Sequence, residues 1–111
     1  MEKKTVSSES IRRFAVFLEE EERSAGTIEK YMRDIRAFSA FLGGAEVTRE
    51  RAAAWRDALL EQGRAPVTVN SMTAAANQFF AFQGWEDCKI KALKLQRKLF
   101  RDDRRELTRE E

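Results

Sequence analysis

Apolar residues recur every three or four positions along most of the chain, and glycine or proline interrupts the pattern at a few places. This spacing puts the apolar side chains on one face of an α-helix. No segment of useful length alternates apolar and polar residues, as a half-buried β-strand would. The pattern therefore predicts an all-α fold built from four helices.

The first predicted helix begins near Ser7 or Ser8, either of which can cap its free N–H groups, and it fades in a glutamate block by Arg23. The second begins after Ser24 and keeps an apolar face for four turns. A pair of glycines at 43–44 ends it, because glycine readily adopts the left-handed conformation found after many helices.

The third predicted helix runs from Thr48 to Gly63, and the fourth from Pro66 to Gly84. Proline suits the first position of a helix, where its missing N–H would have no partner in any case. The fourth helix is divided along its length, since its first half carries small uncharged polar residues and its second half carries three phenylalanines. The aromatic half is predicted core.

The remaining chain is dense in cations, with eight Lys or Arg at 89–105. We expect at most a short fifth helix around 89–100, within a basic linker that has some apolar anchoring. Thr108 followed by two glutamates is typical of a helix N-terminus, so we expect a further domain to begin there. The predicted division is a bundle at 6–86 and a linker at 87–111.

Composition narrows the range of possible functions. The chain has 111 residues and a net charge of +2, with no histidine and a single cysteine, Cys88. Without histidine there is no His general base, His metal ligand or Ser–His couple. A metal site made only of carboxylates is still possible in principle, but the acidic residues are spread like surface charges. We therefore predict no catalytic residue, metal or cofactor. No apolar run approaches the ~20 residues of a membrane span, so we predict no membrane partner. We also predict no small-molecule ligand.

Two segments, TIEKYMRDIRAFSAFL at 27–42 and VTVNSMTAAANQFFAF at 67–82, resemble the N-terminal core-binding domain of tyrosine recombinases, which include phage and transposon integrases. The tail, KIKALKLQRKLF followed by RRELTREE, is similar to the linker that leads into their catalytic domain. The order and spacing of these segments carry the resemblance, and it covers nearly the whole chain. One departure is Thr73, where an aliphatic residue is usual.

The resemblance implies a four-helix orthogonal, SAM-like bundle that clasps duplex DNA opposite a separate catalytic domain. The second and fourth helices would lie against the major groove of a recombination half-site, beside other recombinase protomers. It implies a bacterial or phage-derived protein that acts in the cytoplasm, on the nucleoid. The tyrosine nucleophile would belong to the other domain, since Tyr31 lies in register with Ile28 and Ile35 on a buried stripe.

Lys30 and Arg33 lie one turn apart on the polar side of the second helix, with Thr27 before them. They could form an ordinary solvated face, in which Glu29 and Arg33 are spaced for an ion pair. With the resemblance, phosphate contact becomes the favoured interpretation, because cations at this spacing can follow successive phosphates.

The polar start of the fourth helix also has two interpretations: a tolerated surface, or a small uncharged face that enters a groove. The second is favoured, with Asn70, Ser71 and Asn77 as preferred contacts because amides and hydroxyls can bind bases. The other predicted DNA contacts are one cation upstream of the fourth helix, one residue in its first turn and five cations of the linker: Arg64, Thr68, Lys89, Lys91, Lys94, Arg97 and Lys98. A helical protein–protein module and a free-standing helix-turn-helix regulator remain alternatives.

Overall fold

The computed structural model describes residues 4–94 of the chain. Its elements are α1 (Ser8–Glu20), α2 (Ala25–Leu42), α3 (Arg49–Glu61), α4 (Pro66–Gln83) and a 3₁₀ turn (Glu86–Cys88). No strand occurs among these described residues. The predicted all-α fold with four helices is therefore confirmed.

Side-chain caps and glycines set most of the helix ends. The hydroxyls of Ser7, Ser24 and Thr48 each accept a hydrogen bond from the backbone N–H three residues further on, at the start of α1, α2 and α3. Gly43 and Gly84 follow α2 and α4 in the left-handed conformation, which costs glycine little. These boundaries agree with the prediction from sequence.

The four helices bury one core in which aromatic rings meet at the centre. Phe14 of α1 lies against Phe79 of α4, with ring centroids 5.4 Å apart, and against Tyr31 of α2 at 6.3 Å. Phe38 of α2 contacts Trp55 of α3 at 5.0 Å. Each helix thus contributes a ring, and the aromatic half of α4 lies in the core, as its sequence predicts.

The chain after α4 packs back onto the bundle. Cys88 and Ile90 are buried in the same core, and Leu93 packs against it. Residues 89–94 carry no regular secondary structure, so the helix expected around 89–100 is absent from that part, and residues 95–100 lie outside the described chain. We call residues 89–94 the docked linker.

The 3₁₀ turn that precedes the docked linker is tied to the N-terminal segment and to α3. Lys4 Nζ donates to the carboxylate of Asp87 at 3.0 Å, and this bond raises the pKa of Lys4 and lowers that of Asp87. Arg49 donates to the Asp87 carbonyl at 3.2 Å. Burial raises the pKa of the Cys88 thiol, which stabilises its neutral and unreactive form.

Candidate nucleic-acid interface

Lys30 links the first third of α2 to the first third of α4. Its ammonium group pairs with the buried carboxylate of Asp34, one turn further along α2. The same ammonium donates to the backbone carbonyl of Ser71 on α4 at 3.0 Å. Lys30, predicted as a phosphate contact, therefore has two partners within the protein.

This contact lies in a shallow depression between the two helices. Three residues predicted from sequence, Thr27, Lys30 and Ser71, line it together with Ala74. Arg33 is exposed one turn further along α2, and no carboxylate in residues 4–94 lies within 4.0 Å of its guanidinium group. The ion pair with Glu29 that the spacing allowed does not form within that distance, so Arg33 is available to an external anion.

An uncharged strip runs along the outside of α4. It consists of exposed residues that recur at intervals of four and three: Val67, Ser71, Ala74, Gln78 and Ala81. We call it the α4 strip. Gln78, which was not among the residues predicted from sequence, lies in this strip seven residues after Ser71. Its position opposite the core residues Ala76 and Phe80 could have indicated that it is exposed.

The two asparagines preferred as base contacts lie beside this strip and face the docked linker. Asn77 exchanges two hydrogen bonds with the backbone of Ile90, at 2.7 and 2.9 Å. Asn70 does the same with Leu93, at 2.7 and 3.0 Å. Both amides are thus occupied by protein backbone, and contact with a base would require the linker to leave. Their structural role was not predicted.

The beginning of α4 is polar and exposed. Arg64 and Thr68 are exposed there, and Arg64 donates to the side chain of Gln62 at 3.3 Å. Ala65 occupies the N-cap position and supplies no capping hydrogen bond. Thr73 faces inward: it is buried, and its hydroxyl donates to the Asn70 carbonyl at 3.2 Å. The aliphatic position of the resemblance is therefore a core position here too.

The cations of the docked linker point outward. Lys89 pairs with Glu86 at 2.8 Å, whereas Lys91 and Lys94 are exposed. The predicted contacts Arg97 and Lys98 lie outside the described residues.

These parts form one surface in a fixed order. Lys30 binds α4 on one side of the strip, and the docked linker binds it on the other. An uncharged helix face is therefore flanked by cations of α2 and of the linker. The uncharged helix face of such a surface can enter a DNA groove, and the cations on both sides can contact the phosphates that border it.

The described residues contain neither a metal-binding cluster nor a membrane-spanning helix. Within residues 4–94 no three Cys, Asp or Glu side chains are grouped so that they could hold a metal ion. None of the described helices has the length and apolar character needed to cross a bilayer.

The chain matches one family model, the phage integrase N-terminal SAM-like domain, over residues 6–87. Neither a curated protein nor a solved structure gives a significant match. The family match confirms the resemblance seen in the two sequence segments. It covers all four helices and ends within the 3₁₀ turn.

Proposed function

Because the chain belongs to the family of phage integrase N-terminal SAM-like domains, we propose that it binds duplex DNA as the N-terminal half of a site-specific tyrosine recombinase. This family domain is non-catalytic and serves the DNA binding of recombinases. The finer role proposed is that of a clamp half, which places a catalytic domain of the same parent chain on a recombination half-site beside other protomers. Residues 6–86 would form the binding bundle, and 87–111 the connection.

The observation that carries this proposal is the uncharged α4 strip between two sets of cations. A major groove about 12 Å wide admits one α-helix, and the small side chains of the strip allow a close approach. Arg33 and Thr27 on one side, and Lys91 and Lys94 on the other, would then contact the phosphate backbones. Arg64 would add a cation at the beginning of α4.

Within the strip, Gln78 is the side chain best suited to read a base. A glutamine can bind adenine in a bidentate manner, and the methyl groups of Ala74 and Ala81 can meet thymine methyls. The strip contains no arginine or lysine to pair with guanine. We therefore propose that the groove contact favours A·T pairs opposite Gln78.

The test is fluorescence anisotropy with a mixed-sequence duplex at two salt concentrations. We expect weak binding that falls steeply with salt, because phosphate contacts release counterions. Arg33→Ala should weaken binding to all sequences alike and reduce the salt slope by about one. Arg12→Ala is the matched control, since it removes an equal charge from an exposed position on α1 and should change little. No binding at low salt would reject DNA and favour a protein partner.

Sequence preference needs a separate comparison. Gln78→Ala should alter the relative affinities for duplexes that differ in one base pair, by a factor that corresponds to about 1–3 kcal/mol at the contacted pair. Arg33→Ala should leave those ratios unchanged. Equal ratios for both variants would show that Gln78 reads no base.

A further inference from the structure

Asn70 and Asn77 bind the docked linker in the same way. The Nδ2 group of each donates to a backbone carbonyl, and its Oδ1 accepts from the N–H of the same residue: Leu93 for Asn70 and Ile90 for Asn77. A side-chain amide offers both a donor and an acceptor, so each asparagine satisfies one linker residue as a neighbouring β-strand would. We call the two amides the asparagine rail.

The spacing of the rail suits one conformation of the linker. Asn70 and Asn77 are seven residues apart on α4, which separates them by about 10.5 Å on one side of the helix. Ile90 and Leu93 are three residues apart, and a polyproline-II chain covers about 9 Å over that interval while turning the same backbone side towards α4. In a β-strand, residues three apart would face opposite sides. The linker runs opposite to α4, since the later asparagine binds the earlier linker residue. A shift by one residue would break both pairs.

Two further contacts fix this register. Ile90 is buried in the core, so its backbone cannot slide along α4 without exposing an apolar side chain. The carbonyl of Lys91, between the two rail contacts, accepts from Arg56 of α3 at 3.0 Å. The linker is thus held from α3 and from α4, with the side chains of Lys91 and Lys94 left exposed.

We propose that the asparagine rail is a register-specific docking site for the linker backbone, and that it makes Lys91 and Lys94 fixed members of the DNA-binding surface. The docking stands on the structure of the free chain, whereas the role in DNA binding rests on the proposed function. Asn70 and Asn77 are then positioning residues that act through the two lysines. A held cation loses less conformational freedom on binding a phosphate than a cation on a free tether does.

Docking is tested by amide hydrogen exchange on the complete 111-residue chain. In the unmodified protein the amides of Ile90 and Leu93 should be protected. Asn77→Ala should raise the exchange rate of Ile90 at least tenfold, and Asn70→Ala that of Leu93. Gln78→Ala is the control, because this exposed amide of α4 has no linker contact among the described residues. Amides of the core, such as Phe38, report in the same experiment that each variant is folded.

Register is tested by inserting one alanine between Lys91 and Ala92. The Ile90 amide should stay protected, whereas the Leu93 amide, which the insertion moves one residue past Asn70, should lose protection. Asn70→Asp retains the acceptor for the Leu93 N–H but sets an oxygen against its carbonyl, so it should also weaken the contact. Unchanged protection of both linker amides when both asparagines are alanine would overturn the docking site, as would rapid exchange in the unmodified protein.

The positioning role is tested by a double-mutant cycle on DNA affinity. One pair of changes is Asn70→Ala with Asn77→Ala, and the other is Lys91→Ala with Lys94→Ala. We expect the rail variant to bind several-fold more weakly although it removes no charge, and the lysine effect to shrink in that background. Additive effects would overturn positioning, and would instead indicate direct contacts of the asparagines with DNA. Protected linker amides in a chain that binds no DNA would reject the proposed function and the positioning role, and leave the docking intact.

Discussion

At the scale of single residues, Lys30 shows how packing changes an interpretation made from sequence. Glu29–Arg33 and Lys30–Asp34 have the same spacing on α2, so the sequence offers no basis for choosing between them. The fold chooses, because it buries Asp34 where Lys30 also contacts α4, and it leaves Arg33 exposed. A buried carboxylate needs a partner, and Lys30 supplies it. The DNA test therefore uses Arg33, whose removal leaves no buried charge behind.

Lys30→Met should destabilise the bundle, because it leaves the carboxylate of Asp34 buried without a partner. The expected loss is about 1–3 kcal/mol, below the value for a fully buried pair since the lysine side chain is one-third exposed to solvent. Urea denaturation followed by circular dichroism measures it. Adding Asp34→Asn removes the orphaned charge and should recover part of the loss. An unchanged midpoint for Lys30→Met would contradict this role.

Thr73 stands in the sequence where the resemblance leads us to expect an aliphatic residue. Its side chain is buried, and its hydroxyl bonds the Asn70 carbonyl within the same helix. Thr73→Val should change the free energy of unfolding by no more than about 1 kcal/mol. The substitution removes the hydrogen bond of the hydroxyl, but it also removes the cost of burying that hydroxyl away from water. Thr73→Ser keeps the hydroxyl but removes a buried methyl, and should cost about 1 kcal/mol. A larger loss for valine than for serine in chemical denaturation would show that the hydroxyl matters more than the methyl.

At the scale of elements, capping residues and glycines predicted the ends of the helices because these signals act locally. The outward faces of α4 were harder to assign. A helical projection places Asn70 and Asn77 at the edge of its polar face, where they look as free as Ser71. The side-chain amides of both residues bind the backbone of a segment more than a dozen residues later in the chain, so no local pattern in the sequence revealed these contacts.

Of the four described α-helices, α4 is the one that begins without a side-chain cap. Ala65 stands at the N-cap and offers no acceptor to the free N–H groups, unlike Ser7, Ser24 and Thr48 in the other helices. Ala65→Ser should therefore raise the free energy of unfolding by about 0.5–1 kcal/mol. Ala65→Asp should stabilise similarly but weaken DNA binding, because it adds a negative charge at the proposed interface. Thermal denaturation and anisotropy on the same samples separate the two effects, and an Asp variant that binds DNA as well as the Ser variant would place the start of α4 away from the DNA.

At the scale of the whole molecule, the linker was predicted from its charge density as a basic connection with some apolar anchoring. Ile90 and Leu93 supply this anchoring, and their three-residue interval does not fit the alternation of a strand but does suit a helix, such as the short one expected around 89–100. The structure explains the interval as the distance between two amides on α4. The packed unit consequently extends beyond residue 87, where the family match ends.

A chain ending at residue 87 should therefore be less stable than one ending at residue 94. It lacks the buried side chains of Cys88 and Ile90, and it leaves the apolar site of Ile90 open to water. We expect a loss of about 2 kcal/mol or more, and at least as large as that of Ile90→Ala in the longer chain, since both leave the Ile90 site unfilled and the shorter chain also lacks Cys88. Lys94→Ala in the longer chain is the control, because it changes an exposed side chain of the linker. Its free energy of unfolding should stay within about 0.5 kcal/mol of the unmodified value. Equal denaturation midpoints for the two chain lengths would mean that the bundle is complete without the docked linker.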